Sequence, residues 1–206
     1  MTADAGRIEL AYRYSAAAYW FLERQCHDNV DERRARQRDV TRWSLEIVRG
    51  VRPDVQAFTN LLVQFPREGV KEPAQTAPDT VVFHHERVIV VGNRYDVPLQ
   101  HATPFLVADY TETSTSRDEA GELNAPYYLH SPTAAELSVF RLGDGEYTAV
   151  RPNAAGRHAM PELELEVGLL GEWVRYWFRG ELVPLPGDVL AELAKLREEL
   201  AKAKKQ

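Results

Sequence analysis

The spacing of apolar residues predicts helices towards both ends of the chain. In residues 1–30, apolar side chains recur three and four positions apart, as on one face of an amphipathic helix: Leu10, Tyr14, Ala17, Ala18, Phe21 and Leu22. The same spacing returns over residues 43–51, and Pro53-Asp54 ends it. A third helix is predicted from Gly187 onwards, with leucines along one face at positions 190, 193, 196 and 200.

The middle of the chain carries short runs of β-branched and aromatic residues, which predict strands. We expect these strands over residues 58–65, 80–83, 87–91, 105–108, 127–129, 137–141, 147–150, 162–167 and 173–178. Residues 105–108 are continuously apolar, as in a central strand covered on both faces. Residues 143–145, Gly-Asp-Gly, predict the tight turn of a hairpin. Residues 162–167 alternate between glutamate and an aliphatic residue, which predicts a half-exposed strand.

Residues 31–42 are almost wholly charged and include five arginines, at positions 33, 34, 36, 38 and 42. Two interpretations fit this segment. It is a solvated helix face, or it is a patch that contacts phosphates, where each neutralised phosphate adds salt-sensitive affinity. The interspersed acids Asp31, Glu32 and Asp39 favour the first interpretation.

Composition bounds the class of protein. A chain of 206 residues that is 44% apolar buries one good core. The net charge of −6 argues against a dedicated nucleic-acid binder, although it leaves room for a nuclease with a local positive field. The one cysteine, Cys26, allows neither an intramolecular disulfide nor a cysteine-based zinc site. The apolar run at 16–22 is too short to span a bilayer, so we expect a soluble cytoplasmic protein with no membrane partner.

Two acids at the ends of predicted strands are the strongest chemical signal. Asp79 stands at the entry of the strand over 80–83, and Asp109 stands at the exit of the strand over 105–108. Two carboxylates at the ends of adjacent buried strands are the minimum needed to hold a hard cation such as Mg²⁺. The alternative is structural: Asp79 is then a turn residue after Pro78 that caps a strand, and Asp109 is a buried acid paired with an arginine.

Histidines add little to this pair. The doublet His84-His85 invites a metal interpretation, but neighbours on a strand point to opposite faces and no cysteine lies nearby. His130 follows the predicted strand over 127–129, where its side chain is placed to approach the acids.

Several segments, taken in order, carry a family resemblance. They are NLLVQFPR at 60–67, APD at 77–79, PFLVADY at 104–110, APYYL at 125–129, LSVFRL at 137–142, PELELE at 161–166, WVRYWFRGEL at 173–182 and PLP at 184–186. As an ordered set, these segments resemble the Uma-type restriction endonuclease family, within the PD-(D/E)XK nuclease superfamily. Residues 1–45 match this family less well.

The resemblance implies an α/β nuclease core, with a mixed central sheet flanked by helices and a C-terminal helix. It places Asp79 at the acid of the Pro-Asp motif and Asp109 where the family usually has glutamate. In this interpretation Asp79, Asp109 and the Tyr110 carbonyl bind Mg²⁺ or Mn²⁺, and Glu112 is the candidate general base. Asp118 stands where the family has an aspartate opening its next helix.

The sequence departs from the family where the catalytic lysine belongs. No lysine occurs between Lys71 and Lys195, and only residues 119–125 separate Asp118 from the following strand, enough for about one helical turn. Arg117 can stabilise charge but cannot deprotonate water at neutral pH. Loss of an acid–base group lowers a rate by roughly two to four powers of ten, and we expect a loss of that size.

The sequence thus predicts a helical extension over 1–45, a nuclease-like domain over 46–186 and a C-terminal helix over 187–206. The predicted function is metal-dependent hydrolysis of DNA phosphodiester bonds. The alternative is a catalytically degenerate nuclease fold that binds nucleic acid or another protein, with the arginine-rich segment and the terminal helix as its contact surfaces. The leucines of that helix also suit a homodimer.

Overall fold

The computed structural model describes residues 32–67, 72–92, 94–111 and 116–203. The helix predicted in residues 1–30 and the predicted base Glu112 lie outside these ranges. The described part contains three α-helices: α1 (Glu32–Val51), α2 (Ser116–Glu122) and α3 (Pro186–Ala203).

Besides two 3₁₀ helices (Val97–Leu99 and Pro161–Leu163), the described part contains thirteen strands. They are β1 (Val55–Thr59), β2 (Leu62–Phe65), β3 (Ala74–Thr76), β4 (Thr80–His84), β5 (Arg94–Asp96), β6 (Leu106–Asp109), β7 (Tyr127–His130), β8 (Ser138–Gly143), β9 (Glu146–Ala149), β10 (His158–Met160), β11 (Leu165–Leu170), β12 (Trp173–Phe178) and β13 (Glu181–Leu182).

These strands form three sheets. The largest has the order β1-β4-β6-β7-β8-β9, and within it only β6 and β7 run parallel. A second sheet has the order β10-β11-β12-β13 and is antiparallel. A third has the order β3-β2-β5, with β2 and β5 parallel. The predicted mixed α/β class is therefore confirmed, with a mixed sheet at the centre.

Two apolar clusters cover the two faces of strand β6. On one face, Leu106 and Ala108 pack with Leu45 and Val48 of α1 and with the inner residues of β11 and β12. On the other face, Val107 packs with residues of α2 and of the third sheet. The prediction that residues 105–108 form a central strand buried on both sides is confirmed.

The predicted hairpin turn is also confirmed. Gly143 of β8 pairs with Glu146 of β9, which leaves the two-residue loop Asp144-Gly145 between the strands. Both loop residues have positive φ, 51° and 81°, as a type I′ turn requires. Asparagine, aspartate and glycine tolerate this conformation, which explains why the sequence signal is strong.

Three predicted strands need correction. Residues 58–65 form β1 and β2 in different sheets, because Asn60 adopts a left-handed conformation (φ 52°) and redirects the chain. Residues 87–91 form no strand: the β1–β4 ladder ends at the pair Val55 and His84, and beyond it the Gln56 side chain bonds the backbone of Arg87 and Ile89.

The third correction concerns residues 162–167. Residues 161–163 form a 3₁₀ helix and Glu164 has a φ of 55°, so strand β11 begins only at Leu165. The short helix after Glu112 is also longer than expected, since α2 begins at Ser116 and reaches Glu122, close to two turns.

The two long helices differ in how they meet the sheets. Helix α1 runs without a break across the predicted domain boundary at 45/46 and packs between the central and second sheets. Helix α3 has exposed side chains throughout 186–200. No helix within the described ranges combines the length and the apolar character needed to cross a bilayer.

Candidate functional site

The two predicted acids meet at one end of the central sheet. Strands β4 and β6 are antiparallel, with Thr80 opposite Ala108, so the entry of one strand lies beside the exit of the other. The backbone amide of Asp79 donates to Oδ1 of Asp109 at 3.3 Å. Both residues are buried: Asp79 has no exposed surface, and 4% of the surface of Asp109 is exposed. The convergence expected from the sequence is therefore present.

Two arginines of helix α1 occupy the Asp79 carboxylate. Arg34 Nε lies 2.7 Å from Asp79 Oδ1, and one Arg38 guanidinium nitrogen lies 3.3 Å from the same oxygen. The other oxygen, Oδ2, accepts a hydrogen bond of 2.8 Å from the backbone amide of Tyr110. Both oxygens of this carboxylate thus have donors, two of them positively charged.

Helix α1 presents these arginines because its inner face is held at several points. The side-chain amide of Gln37 bonds both backbone groups of Val174 in β12, donating to the carbonyl at 3.1 Å and accepting from the amide at 2.9 Å. Thr41 Oγ1 lies 2.7 Å from the Tyr110 hydroxyl. Residues 34, 37, 38 and 41 share one helical face, so the contacts that dock α1 also aim its arginines at Asp79.

Asn60 ties the β1–β2 connection to the same place. Its side-chain oxygen accepts a hydrogen bond of 2.6 Å from Arg38, and its backbone amide donates to the Asp79 carbonyl at 3.3 Å. Arg38 therefore bridges two segments of the sheet end, which restricts its guanidinium to the neighbourhood of the acid.

Tyr110 contributes its backbone to the site and its side chain to the core. The ring is buried between the central and second sheets, with its hydroxyl on Thr41. Burial raises the pKa of this phenol well above its usual value, and the nearby Tyr176 adds to the shift. The phenol is therefore neutral throughout the physiological range. Metal binding by the Tyr110 carbonyl stays a prediction.

His130 borders the acids. It stands opposite Asp109 in the parallel β6–β7 ladder, and its Nε2 lies 2.9 Å from the Thr111 carbonyl. Its ring stacks on Tyr128, with the centroids 6.2 Å apart. The contacts given for the ring are with Thr111 and Tyr128, so the approach of this side chain to the acids stays a prediction.

The remaining candidates have other contacts or lie in solvent. The Arg117 guanidinium lies over the Phe140 ring at 5.4 Å, and Asp118 is exposed in the first turn of α2. His84 Nε2 bonds Asp54 at 2.9 Å, whereas His85 Nδ1 accepts from the backbone of Arg87 at 3.0 Å. The doublet therefore serves two separate local networks.

The fit of the pair to a magnesium ion is poor in this arrangement. Mg²⁺ takes oxygen ligands at 2.0–2.1 Å in near-octahedral geometry. Here Arg34 and Arg38 lie on Asp79, and their two positive charges formally balance those of Asp79 and Asp109. Within the described ranges, no three histidine, cysteine, aspartate or glutamate side chains gather as a metal-binding group.

The sequence interpretation missed Arg34 and Arg38 as partners of Asp79. Both earlier interpretations of residues 31–42, a solvated face and a phosphate patch, need correction for these two positions, because they point at a buried acid. The available signal was their spacing of four residues, which places them on one helical face with Gln37 and Thr41. The structural alternative of an arginine-paired acid was raised for Asp109, and the structure displays that pairing at Asp79.

Comparison with known proteins adds no family assignment. No known family model matches the sequence, and no curated protein matches it.

Proposed function

We propose that this protein has a PD-(D/E)XK-like core that does not cleave nucleic acid and works in the cytoplasm as a protein-interaction module. The observation that carries the proposal is the 2.7 Å contact of Arg34 with the fully buried carboxylate of Asp79. Asp79 in this arrangement joins helix α1 to the sheet, and its charge is matched by the helix.

The electrostatics of the site support a structural role for Asp79. A divalent cation brought to Asp79 meets two guanidinium groups within contact distance of the same oxygen. Like charges at such distances repel strongly where water is excluded. Releasing the arginines instead breaks a partly buried ion pair, which is costly when one partner stays buried.

Three other arginines of α1 favour a protein partner over a nucleic acid. Arg36, Arg42 and Arg49 form ion pairs with acids of the same helix, namely Glu32, Asp39 and Glu46. Their positive charge is therefore offset locally, and the chain as a whole carries −6. A phosphate-binding surface needs uncompensated positive charge.

Exposed apolar side chains supply the contact surface for such a partner. Trp43, Ile47 and Val51 lie four residues apart along α1 and are 38%, 41% and 57% exposed. Helix α3 carries a second apolar stripe of exposed leucines at positions 190, 193, 196 and 200. Contiguous exposed apolar patches are rare on monomeric proteins, and they commonly mark surfaces that bind another protein.

The test compares the intact protein with a variant in which the Asp79 carboxylate has lost its two arginine partners. Supercoiled plasmid with Mn²⁺ should stay intact, and calorimetric titration with MnCl₂ should give no binding that depends on Asp79. The double variant Arg34→Met/Arg38→Met should gain Mn²⁺ binding, and adding Asp109→Ala should abolish it. Circular dichroism checks the fold of each variant. Cleavage by the intact protein that disappears in Asp109→Ala would overturn the proposal.

The second candidate is the metal-dependent DNA endonuclease, with Mg²⁺ or Mn²⁺ at Asp79 and Asp109. The placement of both acids at one end of the β4–β6 pair favours it, with Asp109 Oδ1 3.3 Å from the Asp79 backbone amide, since a nuclease needs two carboxylates close together. It requires Arg34 and Arg38 to leave Asp79 when metal and DNA bind. The plasmid assay above separates the two candidates directly.

A further inference from the structure

Helix α3 extends from the body of the protein with an uncovered leucine stripe. Leu190, Leu193, Leu196 and Leu200 are 67%, 45%, 50% and 57% exposed, and Val189 is 40% exposed. Its beginning is anchored, because Asp188 accepts from Arg175 at 3.3 Å and from the Leu185 amide at 2.8 Å. Most of the stability of a helix in a protein comes from packing of its apolar face, so the stability of α3 depends on what covers the stripe.

The spacing of the stripe is that of a coiled coil. Val189, Leu193, Leu196 and Leu200 follow steps of four, three and four residues, which are alternating d and a positions of a heptad repeat. Leu190 flanks this seam at an e position. The opposite face carries alanine and charged side chains, and Lys202 Nζ at a c position lies 2.7 Å from Glu198 at an f position. One apolar seam and one solvated face describe a helix built to pair with a similar helix.

The flanking charges select the partner and its direction. In this repeat Glu192 and Glu199 occupy g positions, and Arg197 occupies an e position. In a parallel pair of identical helices, a g residue faces the e residue five positions later on the other helix. Glu192 then faces the partner's Arg197, and symmetry makes this contact twice. In an antiparallel pair g faces g, which sets glutamate against glutamate.

We infer that α3 pairs with α3 of a second copy of this chain as a parallel, in-register coiled coil. The occupant of the stripe is therefore an identical helix, chosen by the match of Glu192 with the partner's Arg197. This inference deepens the proposed interaction role and rests on it. The two fail separately, because phosphodiester cleavage overturns the first and a monomeric chain overturns the second.

Sedimentation of the full chain tests self-association. We expect a dimer at about 100 µM that dissociates on dilution, as a dissociation constant in the micromolar range implies. Leu196→Glu places a charge in the seam and should raise the dissociation constant by at least about tenfold. Ala191→Glu, at an f position on the outer face, is the matched control and should leave it unchanged. A monomer at every concentration, or a dimer unaffected by Leu196→Glu, would overturn the inference.

Two further variants test direction and register. Val189→Cys in a Cys26→Ser background should form a covalent dimer on mild oxidation, because a parallel in-register pair brings position 189 of both copies together. Glu192→Arg should weaken the dimer, and Glu192→Arg/Arg197→Glu should restore it. An antiparallel pair separates the two cysteines by most of the helix length, so failure to cross-link in a dimer would overturn the parallel arrangement.

Discussion

Arg34 and Asp79 are 45 positions apart in the chain, and their side chains meet at 2.7 Å. The acid is completely buried, whereas the arginine side chain keeps 31% of its surface in contact with water. This pair places a positive charge against the buried acid and links the end of the sheet to helix α1. It also changes the interpretation of Asp79, from a candidate metal ligand to a residue that holds helix α1 against the central sheet.

Removing both arginines from α1 should destabilise the protein strongly. Arg34→Ala/Arg38→Ala leaves the buried Asp79 carboxylate without its charged donors, and breaking a buried pair in this way costs about 3–5 kcal/mol. Urea unfolding followed by tryptophan fluorescence measures the change. Arg36→Ala, on the exposed side of the same helix, should shift the free energy of unfolding by less than about 1 kcal/mol. A double variant as stable as the parent would contradict the structural role of Asp79.

Gln37→Leu should weaken the docking of α1 on β12. The substitution keeps the side-chain size roughly constant but removes both hydrogen bonds to Val174. Each buried polar group left without a partner costs about 1–3 kcal/mol, so we expect a loss of about 2–4 kcal/mol.

The same unfolding measurement decides this case. Glu46→Leu, an exposed position on α1, is the control and should change stability by no more than about 0.5 kcal/mol. Equal effects from the two substitutions would show that the Gln37 amide contributes nothing specific.

Acid should destabilise the protein partly through Asp54. The hydrogen bond from Arg52 lowers the pKa of this carboxyl from 3.8 to about 2 in the folded state. Because the folded pKa lies below the unfolded one, the stabilisation is complete above pH 4 and disappears as the pH falls through 2. Because water screens the exposed part of the Asp54 carboxylate, we expect it to contribute about 1 kcal/mol to the free energy of unfolding.

Unfolding curves between pH 7 and pH 2 measure that contribution. Asp54→Asn should lower stability at pH 7 and flatten the decline between pH 4 and pH 2. Asp144→Asn is the control, since Asp144 is exposed in the hairpin turn and asparagine tolerates its positive φ. An unchanged pH profile in Asp54→Asn would remove Asp54 from the account of acid sensitivity.

Gly145→Ala should destabilise the β8–β9 hairpin. Gly145 has a φ of 81°, a conformation that costs a residue with a side chain about 1–2 kcal/mol. The neighbouring Gly143→Ala is a matched control, because a Cβ at Gly143 meets no atom within 4 Å and its backbone needs no positive φ. Thermal unfolding of the two variants should therefore differ, and identical midpoints would contradict the turn geometry.

The sequence predicted best those features that depend on neighbouring residues. The Asp144-Gly145 turn and the buried strand β6 follow from local chemistry, and both are present. The convergence of Asp79 and Asp109 was also predictable, because it needs only two adjacent strands with acids at matching ends.

Features that depend on distant partners were harder to predict. Residues 87–91 have strand-like composition but form no strand, because no neighbouring chain continues the ladder past His84. Arg34 and Arg38 look like surface charges in a charged segment, and only the docking of α1 through Gln37 and Thr41 turns them inwards. Composition indicates which secondary structure a segment favours, whereas the tertiary packing determines which of its side chains are buried.

Asp79 and its two arginine partners lie on separate elements, so a substitution on one element changes the selection acting on the other. Asp79 lies 45 residues from Arg34 and 41 from Arg38, so mutations at these positions arise independently. A descendant that loses the basic residues from the helix keeps a buried negative charge without compensation, unless the aspartate changes as well. We therefore expect substitutions at these three positions to be correlated among homologues.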